Sequence, residues 1–176
     1  MHKYLVDANI FLQAKNLYYR FEFCSHFWSW MLTAHGAGLV CSINKVKKEL
    51  TNGDKEDPAR KWAEELPTTF FLADESDAKV MEKYAEIMAW TARSTHYKDQ
   101  AKRQFADSNV ADAFLLATAM AYGYDIITHE LPNPERKNKI QLPDAASAFG
   151  IKTHYVYDIL AENSNTDFSF ANKPKI

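Results

Sequence analysis

Tyr4-Leu5-Val6-Asp7-Ala8-Asn9-Ile10-Phe11 decides the fold. A short apolar run with a β-branched residue ends abruptly on an acid, the pattern of a strand buried on both faces rather than on one. From Ala8 to about Tyr19 the apolar residues Ile10, Phe11, Ala14, Leu17 and Tyr18 recur at spacings of three and four, which predicts a helix with those side chains facing inward. A βα unit opens the chain.

The alternation continues. Aromatic residues around Phe27-Trp28 predict a helix that closes at Gly36-Ala37-Gly38. Gly38–Ile43 reads as a second strand, and Asn44 as the cap of a helix over Lys45–Thr51. Asp57-Pro58 starts a helix to Leu66, Thr68–Ala73 is a third strand, and Ser76 begins the longest helix, lined by Val80, Tyr84, Ile87 and Met88. A helix from about Asn109 to Tyr122 feeds a fourth strand, Tyr124–Thr128; a small helix ends at Phe149-Gly150, and Lys152–Tyr157 is a fifth strand. Strands alternating with helices predict a three-layer α/β/α fold with a mainly parallel sheet of about five strands. Residues 1–160 read as one domain and 161–176 as a loosely attached polar tail.

Composition narrows the function. The chain has 176 residues, 47% hydrophobic, with 21 Lys and Arg against 23 Asp and Glu. A net charge of −2 leaves no global cationic field, so any nucleic-acid contact must be a local patch. Two cysteines, Cys24 and Cys41, suggest neither a disulfide framework nor a zinc site. No apolar run is long enough to cross a bilayer and no secretory leader is legible, so a cytoplasmic protein without membrane contact is expected.

Acids gather where ligands bind in such sheets, beyond the carboxyl ends of the strands. Asp7 ends the first strand, Glu49 lies on the helix after the second, Asp112 opens the helix before the fourth, and Thr128-His129-Glu130 follows the fourth. Individually each has an ordinary explanation: Asp7, with Asn9, as a helix cap, Glu49 and Glu130 as solvated surface, Asp112 as a favourable charge at a helix start. Together they form a set that repels itself unless a divalent cation neutralises it. All-oxygen donors point to Mg²⁺ or Mn²⁺, and phosphodiester hydrolysis is the natural chemistry. His129 should point away from the set, because neighbours on an extended segment alternate. Outside the short Arg136–Lys139 run, Arg93, Lys98, Lys102 and Arg103 are the densest positive excess and candidate RNA contacts, against the plainer reading of solvated helix surface. Tyr18, Tyr19 and Trp28 are candidates to stack bases or meet a partner helix, against core packing.

The opening Asp-Ala-Asn-Ile-Phe-Leu, the segment Ser42–Leu50 with Glu49, the element Ala-Asp-Ala-Phe-Leu-Leu-Ala-Thr-Ala from Ala111, and Ile126-Ile127-Thr128-His129-Glu130 together resemble the PIN-domain nucleases, in particular VapC-type toxin ribonucleases, over about residues 1–157. The resemblance implies an endoribonuclease in which Asp7, Glu49 and Asp112 bind Mg²⁺ or Mn²⁺, Thr128 and Glu130 occupy a fourth polar position, and Asn9 supports the site. It also implies a toxin of a type II toxin–antitoxin pair, an antitoxin partner and a homodimer. The chain departs from the pattern in having Glu130 where many PIN domains carry Asp, and in its long stretch from Asn52 to Asp107.

Two rivals stand beside this reading. A phosphatase-like phosphoryl-transfer protein also places an Asp after its first strand, but Asp7-Ala8-Asn9 lacks the second acid of Asp-x-Asp. A non-catalytic PIN-like module binding RNA or protein would keep the fold with a weakened site.

Overall fold

The computed structural model describes residues 3–171. Five strands, β1 (Tyr4–Val6), β2 (Val40–Ile43), β3 (Phe71–Leu72), β4 (Asp125–Ile127) and β5 (Thr153–His154), form one sheet in the order β3-β2-β1-β4-β5. Every pairing is parallel. Leu5, Val6, Ile43, Ile126 and Ile127 are fully buried, as central parallel strands covered on both faces must be. Ser42, inside β2, satisfies its hydroxyl by donating to the Val6 carbonyl at 2.7 Å.

Helices α1 (Ala8–Gln13), α2 (Ser25–Gly36), α3 (Asn44–Thr51) and α4 (Pro58–Glu65) connect β1 to β2 and β2 to β3; α5 (Ala78–Arg93), α6 (Asp99–Phe105), α7 (Asp112–Tyr122) and α8 (Leu142–Ala148) serve β4 and β5; α9 (Val156–Asn163) follows β5. Right-handed crossovers put the first four on one face and the next four on the other. Packing agrees: α3 touches α1 and α4, while α7 touches α5 and α8. The result is a three-layer α/β/α fold. Among the described residues no helix is long and apolar enough to cross a membrane.

Five local expectations are corrected. The first helix does not run regularly to Tyr19: after Gln13 it widens into a π-turn, Ala14–Tyr18, closed by the Tyr19 amide donating to the Ala14 carbonyl at 2.9 Å. The wider turn rotates its last residues about the helix axis, so Ile10, Phe11 and Ala14 are buried while Leu17 and Tyr18 are exposed. Asn44 is the first residue of α3 rather than its cap; buried Asp74 reaches across to accept the Lys45 amide at 2.7 Å. The third strand shrinks to two residues because Pro67 starts a 3₁₀ turn over Thr68–Phe70. The fifth strand ends at His154, since Val156, Ile159 and Leu160 bury one face of α9. Residues 164–171 fold back, with Ser164 bridging Phe170, Phe168 stacked on Tyr19 and Phe170 edge-on to Trp30. The end of the expected tail, residues 172–176, lies outside the described residues.

Candidate metal centre

Strand order reverses between β1 and β4, and the chain leaves both strands there at the same level, with Val6 paired to Ile127. The next residues, Asp7 and Thr128, therefore sit side by side at the mouth of the crevice. Asp7 is 4% exposed and precedes α1, yet its side chain caps no helix amide. Its Oδ2 instead accepts the Asn9 side-chain amide at 2.5 Å and the Thr128 hydroxyl at 2.7 Å. Asn9 also donates to Thr128 Oγ1 at 2.9 Å and accepts the His129 amide at 3.0 Å. Both bonds to Asp7 fall on Oδ2; none among the described residues reaches Oδ1.

Two more acids enter from the flanks. Glu49, half-buried on α3, accepts the Ala111 amide at 3.1 Å and so satisfies a free N–H at the start of α7. Asp112, the first residue of α7, sits at the positive end of that helix. The charges interact. Burial first, then Asp112, Glu130 and Glu49, push the Asp7 carboxyl up to about 8. Burial, then Glu130 and Glu49, push Asp112 up to about 6, with Lys139 opposing. Burial raises Glu49 against the Ala111 hydrogen bond.

Glu130 is held differently from the other three. One oxygen is paired with the Lys139 ammonium and the other accepts the Leu142 amide at 2.9 Å, at the start of α8. Its own amide donates to Thr128 Oγ1 at 3.1 Å. Glu130 thus fastens the loop after β4 to α8 and fixes Lys139 beside Asp112, with which Lys139 lines a small cavity against α6.

The structure brings Asp7, Asn9, Glu49, Asp112, Thr128 and Glu130 to one end of the sheet. His129 turns away from them toward Tyr18 and Tyr157. The expected cationic patch divides: α6, with Lys102 and Arg103 on its last turn and Lys98 before its first residue, borders the Asp112 cavity, whereas Arg93 lines a separate groove with Glu82, Glu86, Trp90 and Phe149. Trp28 and Tyr19 are packing residues, Trp28 buried and donating to the Tyr19 carbonyl at 2.8 Å, Tyr19 stacked on Phe27.

Sequence reasoning missed two cationic features. Lys139 was hidden inside a charged loop nine residues from its partner. Lys45 and Lys48, both paired with Glu75, precede Glu49 in sequence and, with Asn52 and Asn109, line an open cleft of about 420 Å³ beside it; three lysines within one helix that also carries a site acid were the available signal.

Oxygen-only donors, like charges around a buried Asp7 and an uncommitted Asp7 Oδ1 suit a hard divalent cation. Among the described residues, no three His, Cys, Asp or Glu side chains are gathered closely enough to hold a metal ion as they are placed. Loading a cation therefore requires side-chain movement. A family model described as a domain of unknown function (DUF4411) matches residues 4–167. No curated protein matches the chain.

Proposed function

The chain belongs to that family, and we propose that it is a metal-dependent endoribonuclease of the PIN type, acting as the toxin of a toxin–antitoxin pair in the cytoplasm. The single observation that carries the catalytic reading is the convergence of Asp7, Glu49 and Asp112 at the strand-order reversal, with Asp7 raised by burial and then by Asp112, Glu130 and Glu49, and Asp112 raised by burial and then by Glu130 and Glu49. Such an arrangement opposes folding, and a cation bound by all three carboxylates offsets it. The toxin role, the antitoxin and a homodimer rest on the resemblance to VapC-type proteins.

Asp7, Glu49 and Asp112 would hold Mg²⁺ or Mn²⁺. When bound, the ion supplies Lewis acidity toward a phosphoryl oxygen and lowers the pKa of a bound water. The protein supplies orientation. Asn9 and Thr128 lock the Asp7 carboxylate from one side, and Glu49 ties α3 to the start of α7. Lys139, fixed by Glu130, places a positive charge near Asp112 where an RNA phosphate can approach. Lys48, Asn52 and Asn109 extend that surface past Glu49.

A non-catalytic RNA-binding module is the second reading, favoured by one feature: both oxygens of Glu130 are already engaged. Incubating a mixed single-stranded RNA pool with the protein in Mn²⁺ or Mg²⁺ separates the two. The nuclease reading expects cleavage that falls at least 100-fold in Asp7→Asn and Asp112→Asn and stops in EDTA. RNA retention without cleavage by the wild type favours the binding module.

A further inference from the structure

Tyr18, His129 and Tyr157 come from three separate segments, the π-turn after α1, the loop after β4 and the first turn of α9, and meet in one cluster. Ring centroids lie 6.3 Å apart for Tyr18 and His129, 5.6 Å for His129 and Tyr157, and 6.2 Å for Tyr18 and Tyr157, the last pair edge-to-face. Tyr18 is 52% exposed and Tyr157 43%, although each is a large ring already in contact with two others. His129 sits between them as the half-buried support.

The cluster is continuous with the carboxylates. His129 is flanked in sequence by Thr128 and Glu130, and its amide is held by Asn9, the residue that orients Asp7. Exposed Tyr155, two residues before Tyr157, lines a cavity of about 180 Å³ together with Thr128 and Glu130. The π-turn that turns Tyr18 outward is an irregularity frequent at functional sites.

We propose that the exposed rings of Tyr18 and Tyr157, seated on His129, form a base-stacking subsite that selects single-stranded RNA beside the carboxylate centre. Edge-to-face packing leaves ring surface open to solvent, and an uncharged ring accepts the face of any base. A chain of net charge −2 has no general attraction for a polyanion and must draw affinity from such local contacts. Duplex bases, already stacked and paired, cannot reach the rings. The substrate assignment rests on the nuclease reading, but the subsite is testable without it.

The test is fluorescence anisotropy with a labelled 2′-O-methyl decanucleotide in EDTA, where no cleavage occurs. Tyr18→Ala and Tyr157→Ala, both at exposed positions, should each weaken binding about 5- to 100-fold, in line with the range for one stacked base. Phe at either position should restore it, and an abasic strand of equal length should bind weakly and ignore both substitutions. Unchanged affinity in both alanine variants overturns the subsite. If the wild type never cleaves RNA with metal yet loses affinity on alanine substitution, the subsite stands and the nuclease reading falls; if it cleaves while both alanine variants bind as well as it does, the nuclease reading stands and the subsite falls.

Discussion

Asp7 carries two hydrogen bonds on one carboxylate oxygen and none among the described residues on the other, at a buried position facing Asp112, Glu130 and Glu49. That environment favours the neutral acid, so the folded chain retains a proton at Asp7 that the unfolded chain releases near its ordinary value of 3.8. The sign follows from linkage: the folded-state value, about 8, lies above the unfolded one, so the stability conferred is present at low pH and lost as pH rises through about 8. Metal-free protein should therefore melt at progressively lower temperature between pH 5 and 8.5. Asp7→Asn keeps an acceptor for Asn9 and Thr128 but cannot ionise. It should flatten that decline and raise the melting temperature at pH 8 by several degrees, about 2–4 °C for each ~1 kcal/mol, while abolishing cleavage. Parallel melts of the two proteins in EDTA check this; identical pH slopes would refute the raised Asp7 value, of which burial is the first cause and the neighbouring carboxylates the second. Sequence showed Asp7 as an acid after a strand but left capping and function level. Only the geometry of the Oδ2 bonds separates them, because a cap and a ligand occupy the same position in the chain.

At the scale of elements, the junction of α3 with α7 is the most informative contact. Glu49 both contributes charge to the site and accepts the Ala111 amide at the start of α7. Glu49→Gln retains the accepting oxygen and loses a charge that repels Asp7 and Asp112, so it should melt no lower than the wild type yet cleave no RNA. Glu49→Ala loses both and should also be destabilised by about 1 kcal/mol, the worth of one hydrogen bond to a half-buried amide. Equal melting temperatures for the two variants would show that the bond contributes nothing. Elements with a continuous apolar run or a clear helical period were legible: β1, β2, β4, α5 and α7 lie close to where their patterns put them. The errors cluster at edges. A two-residue strand carries too little alternation to read, as β3 and β5 show, and the helical spacing of Val156, Ile159 and Leu160 was masked by the β-forming residues around it. The π-turn left no mark in a sequence whose apolar residues continue at helical spacing through Tyr18, so that spacing places Leu17 and Tyr18 in the core they actually leave.

For the whole molecule, parallel topology was recoverable because strand, helix and turn signals agreed along the chain. The convergence of acids was recoverable with it, since a parallel sheet delivers all its carboxyl ends to one side. The Lys139–Glu130 pair and the Asp74 carboxylate that accepts the Lys45 amide at the start of α3 were not, since the first is a choice of partner within a loop of several charges and the second joins residues 29 apart in the chain. Function on this scale depends on whether the self-repelling end of the sheet takes up a cation. Titration of the protein with Mn²⁺ at pH 8, followed by the loss of the free-ion EPR signal, tests that most directly. Wild-type protein should take up at least one Mn²⁺ per chain, weakened tenfold or more at pH 6 and lost in Asp7→Asn and in Asp112→Asn. A wild-type protein that leaves the free Mn²⁺ signal unchanged, or variants that bind as well as it does, would contradict the account.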